Sequence, residues 1–338
     1  MALILTTKRF GEVNFGSVFS APGARGFCGE GYPIHDYLKY FGLTWEGTTF
    51  VAKTVTLEPN IGNMSLKENG MTPRDLMPSC IIAKPLSGHF LNAVKLSNKG
   101  FEFYRDLGLW QKISRPFCLS WMPISENKGE RLQEARDFVK VSKRFFQNLN
   151  TPVALQLNRA CPSIKSFRED PQTEIDETTE LLEILAELEV PIILNFNPLV
   201  PIKLLVGVSN HPTCSALWIA NTIPWGSTGI DWKGIFGTEV SPLITRGFKQ
   251  AGGLSGPACR PIAVKKILLA RNYGIRIPIV GGNGIKCGKH VLDFQGRADA
   301  IAFACAALDR TTFVKGIIRT GNLCFAANQN QPQQESLQ

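Results

Sequence analysis

The middle of the chain reads VALQL at residues 153–157, PQTEIDETTELLEILAEL at residues 171–188 and PIIL at residues 191–194. The first and last runs are short and apolar, which predicts buried strands. Pro171 suits the first turn of a helix, and the leucines that follow it recur every three or four positions. A strand, a helix and a second strand in this order predict neighbouring strands of a parallel sheet.

The same alternation extends outward in both directions. Further strands are predicted at residues 50–57, 89–96, 117–121, 216–220, 277–280 and 300–303, and further helices at residues 131–149, 202–208, 260–271 and 291–294. The strand–helix unit recurs about eight times, which fits either an open doubly wound sheet or a closed barrel. No GxGxxG follows the first strand, which disfavours a dinucleotide-binding sheet. We therefore predict an α/β fold, a (β/α)8 TIM barrel, with a single domain at residues 1–325 and a disordered Gln- and Asn-rich tail at residues 326–338.

Composition narrows the class of protein. The 338 residues are 44% hydrophobic and carry a formal net charge of +9, so the chain can bury a large core. No apolar run reaches the roughly 18–20 residues that a membrane helix needs. The nine cysteines include no CxxC pair, which argues against a disulfide framework and a structural metal. We expect a soluble cytoplasmic protein that binds neither membrane nor nucleic acid.

Polar residues stand at or near the ends of several predicted strands, where a barrel carries its active site. Lys53 lies inside one apolar strand and Asn92 inside another, and a closed barrel has no edge at which such a lysine could reach solvent. The other positions are Asn158, Asn195, Asn221 and Thr222, with Cys161 just beyond Asn158. Asparagine is a poor strand former, so this set indicates one planar ligand with many donors and acceptors.

Glycines cluster late in the sequence. Gly252, Gly253 and Gly256 precede the helix predicted at residue 260, and a second group follows the strand at residues 277–280. That second group is Gly281, Gly282 and Gly284. Glycine turns that lead into helices expose backbone N–H groups, and barrels bind phosphate near their last two strands. Each cluster alone also fits an ordinary tight turn.

Five segments together resemble the dihydroorotate dehydrogenase family. They are residues 52–63 (AKTVTLEPNIGN), 91–100 (LNAVKLSNKG), 157–163 (LNRACPS), 221–223 (NTI) and 252–261 (GGLSGPACRP). The resemblance covers the chain from about residue 10 to residue 310 and implies an FMN-containing barrel that oxidises dihydroorotate to orotate in pyrimidine biosynthesis. It also implies the cytosolic, cysteine-base class, with Cys161 as the catalytic base.

The resemblance assigns roles to the remaining positions. The residues expected to bind the pyrimidine substrate are Lys53, Asn92, Val94, Lys95, Leu96, Asn158, Ser163, Asn221 and Thr222. The residues expected to bind FMN are Lys53, Thr54, Asn195, Gly253, Gly281, Gly282, Gly284, Cys305 and Ala306. No metal site is expected.

The chain departs from the family pattern at several of these positions. Asn195 stands where the family places a second lysine near the flavin, and Lys95 stands where it has a glycine. The other departures are Asn283 at a phosphate-site glycine, Cys305 with Ala306 at a Gly-Thr pair, and Ser163 at the last asparagine of the N-x-x-C-P-N loop. A charge lost beside the flavin would change how the reduced flavin is stabilised.

Two alternative functions therefore stay open. One is a flavin oxidoreductase for another cyclic amide or an enoate, and the other is a non-catalytic barrel that has lost FMN. The electron acceptor is equally open: a small dicarboxylate, or a separate electron-transfer subunit. A homodimer is a further candidate assembly.

Overall fold

The computed structural model describes residues 2–159 and 170–326. In chain order its strands are β1 (Ile4–Thr7), β2 (Gly11–Asn14), β3 (Val18–Ser20), β4 (Ile81–Lys84), β5 (His89–Asn92), β6 (Phe117–Trp121), β7 (Val153–Asn158), β8 (Ile192–Phe196), β9 (Cys214–Ile219), β10 (Ile223–Pro224), β11 (Gly253–Ser255), β12 (Ile279–Gly282) and β13 (Ala300–Phe303). Its α-helices are α1 (Pro33–Leu38), α2 (Phe101–Asp106), α3 (Lys128–Asn148), α4 (Pro171–Leu185), α5 (Ile202–Ser209), α6 (Trp232–Phe236), α7 (Pro242–Thr245), α8 (Arg260–Asn272), α9 (Gly288–Val291), α10 (Ala306–Asp309) and α11 (Thr311–Ala326).

Parallel strands form a barrel. Seven of them pair in the order β3-β13-β12-β9-β8-β7-β6. The segment at residues 49–55 closes the ring, because Thr49 bridges β3 while Val51 and Val55 bridge β6, all in parallel. The predicted (β/α)8 barrel is confirmed, and its predicted strand at residues 50–57 corresponds to this closing segment.

The barrel interior is apolar near the N-terminal ends of the strands. Alternate residues of the wall pack together there: Phe19, Val51, Cys118, Ala154, Ile193, Ala216, Val280 and Ala300. The β1–β2 hairpin covers this end with Leu3, Leu5, Val13 and Phe15, which belong to the same cluster. Because side chains alternate along a strand, the residue two positions further on points inward one layer nearer the C-terminal ends.

Amphipathic helices pack on the outside of the barrel. The predicted helices at residues 131–149, 171–188, 202–208 and 260–271 correspond to α3, α4, α5 and α8, extended or shortened by a few residues. Helix α3 begins at an Asn127 cap, whose side chain accepts the Glu130 N–H at 2.8 Å. On its buried face, Phe138 stacks on Trp121 of β6 with ring centroids 4.3 Å apart. The helices thus bury the outward-facing residues of the wall.

A second, antiparallel sheet has the strand order β10-β11-β5-β4. One face packs on α6 and α7 through Leu91, Leu254 and Phe236, and residues of the other face line the cavity described below. The predicted strand at residues 89–96 is therefore shorter than expected and lies outside the barrel wall. One antiparallel partner, β4, precedes it directly in sequence as the other arm of a hairpin, whereas the other partner, β11, lies more than 150 residues further along the chain, where no local pattern could reveal it.

Residues 327–338 of the predicted tail lie outside the described residues, and Ala326 is the last residue of α11. Among the helices described here, none combines the length and apolar character needed to cross a membrane.

Candidate functional site

A cavity of about 820 Å³ lies between the C-terminal ends of the barrel strands and the antiparallel sheet. This volume is within the range of small-molecule pockets. Twelve residues predicted from the sequence line it: Lys53, Thr54, Asn92, Val94, Lys95, Leu96, Asn158, Asn195, Asn221, Thr222, Gly284 and Cys305. The structure therefore brings most of the candidate set together, although the role of each residue stays a prediction.

The floor of the cavity is a chain of hydrogen-bonded side chains that point into the barrel. Thr54 and Ser120 share a hydrogen bond of 2.8 Å between their hydroxyl oxygens. The Ser120 hydroxyl donates to Gln156 Oε1 at 3.0 Å, and Asn195 Nδ2 donates to the same oxygen at 3.3 Å. Ser120, Gln156 and Asn195 lie two positions beyond the apolar layer on their strands, which explains why they face inward.

A second branch of the network extends toward the antiparallel sheet. Asn158 Nδ2 donates to Thr54 Oγ1 at 3.2 Å, and Asn221 Nδ2 donates to Asn158 Oδ1 at 3.1 Å. On the far side of the cavity, Asn92 Nδ2 donates to the carbonyl of Gly253 at 3.4 Å. Interlocked amides of this kind are fixed in orientation, so they present a preorganised set of donors and acceptors to a planar ligand.

Within the part of the chain that the structure describes, two buried polar atoms of the floor have no hydrogen-bond partner. They are Asn195 Oδ1 and Gln156 Nε2. A buried group without a hydrogen bond is costly, and a bound ligand is one way in which such an atom is satisfied. Asn195 lines the cavity, so a half-turn of its amide would offer either an acceptor or a donor to a bound ring.

Lys53 is a buried cation of the cavity lining. Its Nζ donates to the Ser97 carbonyl at 2.6 Å and lies 4.5 Å from the centroid of the Phe27 ring. Burial lowers the pKa of Lys53 to about 7, although the acidic groups of Cys80 and Glu30 act in the opposite direction. The lysine is therefore poised to gain a full charge when an anion enters the cavity.

The loop of Val94, Lys95 and Leu96 forms part of the rim. Lys95 and Leu96 have positive φ angles of 52° and 53°, a left-handed conformation that favours glycine. Asn60 holds this loop, because its Nδ2 donates to the Lys95 carbonyl at 2.7 Å and to the Leu96 carbonyl at 3.1 Å. This geometry explains why a glycine would suit position 95, and it leaves the lysine side chain exposed at the rim.

Four predicted cofactor residues do not line the cavity: Gly253, Gly281, Gly282 and Ala306. Gly281 faces the helices, since a Cβ there would meet Phe294 at 2.6 Å and Ile267 at 2.8 Å. Gly282 is packed within the wall, where a Cβ would meet the Ala302 carbonyl oxygen at 2.5 Å. Both glycines are thus required by packing, independently of any ligand.

Cys161 and Ser163 lie outside the described residues, so their predicted roles keep the status of predictions. Strand β7 precedes them in the chain, and the residue directly after this strand, Arg159, is held in place by ion pairs. Arg159 is buried and paired with Glu174 at 2.8 Å and with Glu177 at 2.9 Å, both on α4. The start of the segment that carries Cys161 is therefore tied to that helix.

Several further residues line the cavity or bond to its lining, as Ser120 does to Thr54 and Gln156 to Asn195. Ser120 and Gln156 could have been found, because Gln156 precedes Asn158 by two positions and shares its inward direction. Asp309 could not have been found in this way. It lines the cavity after the last barrel strand and pairs with Lys286, 23 residues away, at 2.6 Å.

A (β/α)8 barrel with a polar cavity at the C-terminal ends of its strands has the architecture of a barrel enzyme that acts on a small polar molecule. Comparison with known families narrows this class, because residues 10–314 match the dihydroorotate dehydrogenase family. The chain belongs to that family, and the family is one of oxidoreductases.

Curated relatives agree with this assignment. The chain is 29% identical over 293 residues to the Listeria welshimeri protein named dihydroorotate dehydrogenase B (NAD(+)), catalytic subunit, which covers 84% of this chain and 81% of that protein. It is 28% identical over 297 residues to the Bacillus mycoides protein of the same name, with 86% and 81% covered.

Proposed function

We propose that this protein oxidises dihydroorotate to orotate with a bound flavin. The observation that carries the proposal is the convergence of a buried lysine and three cavity-lining asparagine side chains in one cavity of a family member. Lys53 is the cation, and Asn92, Asn158 and Asn221 are the amides. Dihydroorotate matches this set, since it has one carboxylate and a ring of alternating carbonyl and N–H groups.

Substrate binding follows from these contacts. Lys53 can release the Ser97 carbonyl and donate to the substrate carboxylate, which would offset the cost of its buried charge. Asn158 and Asn221 hold each other in place and can pair with the edge of the pyrimidine ring. Lys95 at the rim adds a second positive charge near the entrance, which favours an anionic ligand.

The cavity also suits the ring system of a flavin. When bound, the flavin would supply the acceptor for the hydride that leaves the substrate. Asn195, whose Oδ1 is buried and has no partner among the described residues, would contact the flavin ring together with Lys53 and Thr54, which also line the cavity. FMN is the form of flavin that the resemblance predicts.

Proton removal is assigned to Cys161. Its thiolate would take the proton from the carbon next to the substrate carbonyl, while a hydride leaves the neighbouring carbon. The described residue closest to it in sequence, Arg159, is buried and fixed by two carboxylates of α4. This anchor supports the proposal that the base is held at the C-terminal end of β7.

The base assignment is tested by Cys161→Ala. Steady-state oxidation of dihydroorotate should fall by roughly 10²- to 10⁴-fold, because that is the usual contribution of a general base. The flavin content should be unchanged. Cys324→Ser, on the outer helix α11, is the matched control and should keep full activity. Unchanged turnover in Cys161→Ala would show that another group removes the proton.

A partner subunit is also proposed. The two relatives described above are named as catalytic subunits of an NAD(+)-type enzyme. We expect this chain, once reduced by substrate, to pass electrons to NAD⁺ only with a second, electron-transferring subunit. Anaerobic reoxidation by NAD⁺, fumarate and a quinone, each added to the isolated chain, tests this. Rapid reoxidation by NAD⁺ alone would contradict it.

The second enzymatic candidate, oxidation or reduction of another cyclic amide or an enoate, is favoured by Lys95 at the rim. A panel of such compounds distinguishes the candidates by which of them changes the flavin absorbance.

A further inference from the structure

The end of the cavity beside the last two barrel strands is where barrels commonly bind phosphate, in the loops that follow those strands. In this protein the loops follow β12 and β13. The residues that line the cavity at this end include Asn283, Gly284, Cys305 and Asp309. Among these four the only ionisable oxygen is a carboxylate, which is the wrong charge for a phosphate.

Asp309 is held inside the protein by Lys286. Its Oδ1 accepts from Lys286 Nζ at 2.6 Å, and the two side chains are only 3% and 7% exposed. Lys286 Nζ also lies 5.0 Å from the centroid of the Phe90 ring. The lysine charge is therefore neutralised within the protein before any ligand arrives.

The second oxygen of Asp309 is left unpaired by the described part of the chain. Asp309 Oδ2 is buried and accepts no hydrogen bond from the described residues, and the residue lines the cavity. A carboxylate oxygen accepts hydrogen bonds and cannot donate them, so it requires an O–H or N–H group. Hydroxyl groups meet this requirement, whereas a phosphate dianion would be repelled.

Asn283 removes a further contact that a phosphate would use. It has a positive φ of 73°, and its Oδ1 accepts the backbone N–H of Gly256 at 3.1 Å. Its Nδ2 donates to the Asn221 carbonyl at 3.0 Å. A backbone N–H of the glycine-rich loop is thus satisfied by the protein's own side chain.

Another nearby cation is also engaged. Arg260 donates from Nε to Asp293 at 2.8 Å and from Nη1 to the Gly284 carbonyl at 3.2 Å. This arginine does not line the cavity. The ion pairs described for this end of the cavity therefore leave it without a net positive charge.

We infer that Asp309, held by Lys286, makes this end of the cavity a subsite for hydroxyl groups that selects against phosphate. This inference rests on the proposed function, in which the cavity binds a flavin. Its consequence is that the phosphate of FMN contributes nothing to binding, so that riboflavin, which ends in a hydroxyl, binds at least as tightly as FMN.

The test is a pair of titrations on the full chain after removal of any co-purified flavin. Riboflavin and FMN are each followed by quenching of their fluorescence. The dissociation constant of riboflavin should equal or fall below that of FMN, and inorganic phosphate should not compete with FMN. Binding of FMN about tenfold or more tightly than riboflavin would overturn the inference.

Asp309→Asn tests whether Asp309 sets the preference between riboflavin and FMN. The substitution keeps the size of the side chain and frees Lys286, so the preference should shift toward FMN by about tenfold or more. The double variant Lys286→Met with Asp309→Asn removes both charges and should lose most of that shift. A ratio that is unchanged in Asp309→Asn would contradict the assignment of Asp309.

Asp293→Asn is the matched control, because Asp293 is also paired with a basic residue but does not line the cavity. It should leave the ratio of the two dissociation constants unchanged. The riboflavin and FMN titrations of the unsubstituted protein also distinguish failure of the proposed function from failure of the hydroxyl subsite. If neither flavin binds, the proposed function fails; if both bind and FMN is strongly preferred, only the hydroxyl subsite fails.

Discussion

Arg159 Nη1 donates to Glu177 Oε1 at 2.9 Å, which joins the end of β7 to α4 on the outside of the barrel. Glu177 also receives two hydrogen bonds from Arg131 of α3, at 2.8 Å and 2.6 Å. One carboxylate therefore ties together two helices and the strand that precedes Cys161. All three side chains are buried, so the cluster fixes the position of Arg159 directly after β7.

Removal of the Glu177 charge should destabilise the protein. Glu177→Gln leaves two buried arginines short of a counter-charge, and breaking a buried ion pair costs about 3–5 kcal/mol. Urea denaturation of the variant should show that loss. Glu180→Gln, on the exposed side of the same helix, is the control and should cost less than about 1 kcal/mol. Equal losses in the two variants would contradict the role of the cluster.

The same cluster predicts an acid limit of stability. Burial by itself raises the pKa of Glu177, but the hydrogen bonds and charges of Arg131 and Arg159 outweigh it and hold the pKa below its ordinary value of 4.5. A lowered carboxyl pKa gives stability that is present above about pH 4.5 and is lost as the pH falls through the folded-state value. Glu177→Gln should therefore weaken the fall in stability below pH 4.5, measured by denaturation at several pH values. An identical acid profile would contradict this.

Binding of an anionic ligand should depend on the protonation of Lys53. Burial lowers the pKa of this lysine to about 7, so its charge is fully present below that pH and is lost above it. The affinity for orotate should fall by up to about tenfold per pH unit above pH 7. Calorimetric titrations between about pH 6 and 8.5 measure this dependence.

The control for that experiment is Lys53→Met, which should bind orotate weakly and with little pH dependence. A native affinity that stays constant across the same range would show that Lys53 does not contact the carboxylate.

The rim loop should tolerate glycine at position 95. Lys95 has a left-handed backbone that costs a non-glycine residue about 1–2 kcal/mol, so Lys95→Gly should not lower the free energy of unfolding. Lys140→Gly, in the exposed interior of α3, should lose about 1 kcal/mol. Equal losses at the two positions would show that the loop is unstrained. Substrate affinity measured on Lys95→Gly would separately report the effect of the rim charge.

The amide at position 195 should matter for flavin binding. Asn195→Leu keeps a similar volume but removes the buried Oδ1 and the donation to Gln156. Loss of such hydrogen bonds costs about 1–2 kcal/mol, so the flavin should bind about tenfold more weakly. Asn63→Ala, which removes a loop contact outside the cavity lining, is the control. A flavin affinity that Asn195→Leu leaves unchanged would show that the ring does not rest on this floor.

Much of the fold could be predicted from the sequence because parallel barrel strands are short apolar runs separated by amphipathic helices. The strands at residues 117–121 and 300–303 were located to the residue. The three-residue strand β3 was missed, since Val18–Ser20 is too short to show a period. The pairing of β5 with β11 could not be predicted because it joins segments more than 100 residues apart.

Some residues of the site could be predicted from the sequence, and others could not. Asn158, Asn195 and Asn221 could be selected because asparagine is unusual at the ends of buried strands. The contact between Lys286 and Asp309 could not be, because each residue alone resembles an ordinary surface charge in the sequence. Only the folded chain shows that this pair is buried at one end of the cavity.

Anaerobic addition of dihydroorotate to the purified, flavin-loaded protein tests the proposed oxidation. The visible flavin absorbance should be bleached, and orotate should form in an amount equal to the flavin reduced. A flavin that is bound but stays oxidised in the presence of excess dihydroorotate would contradict it.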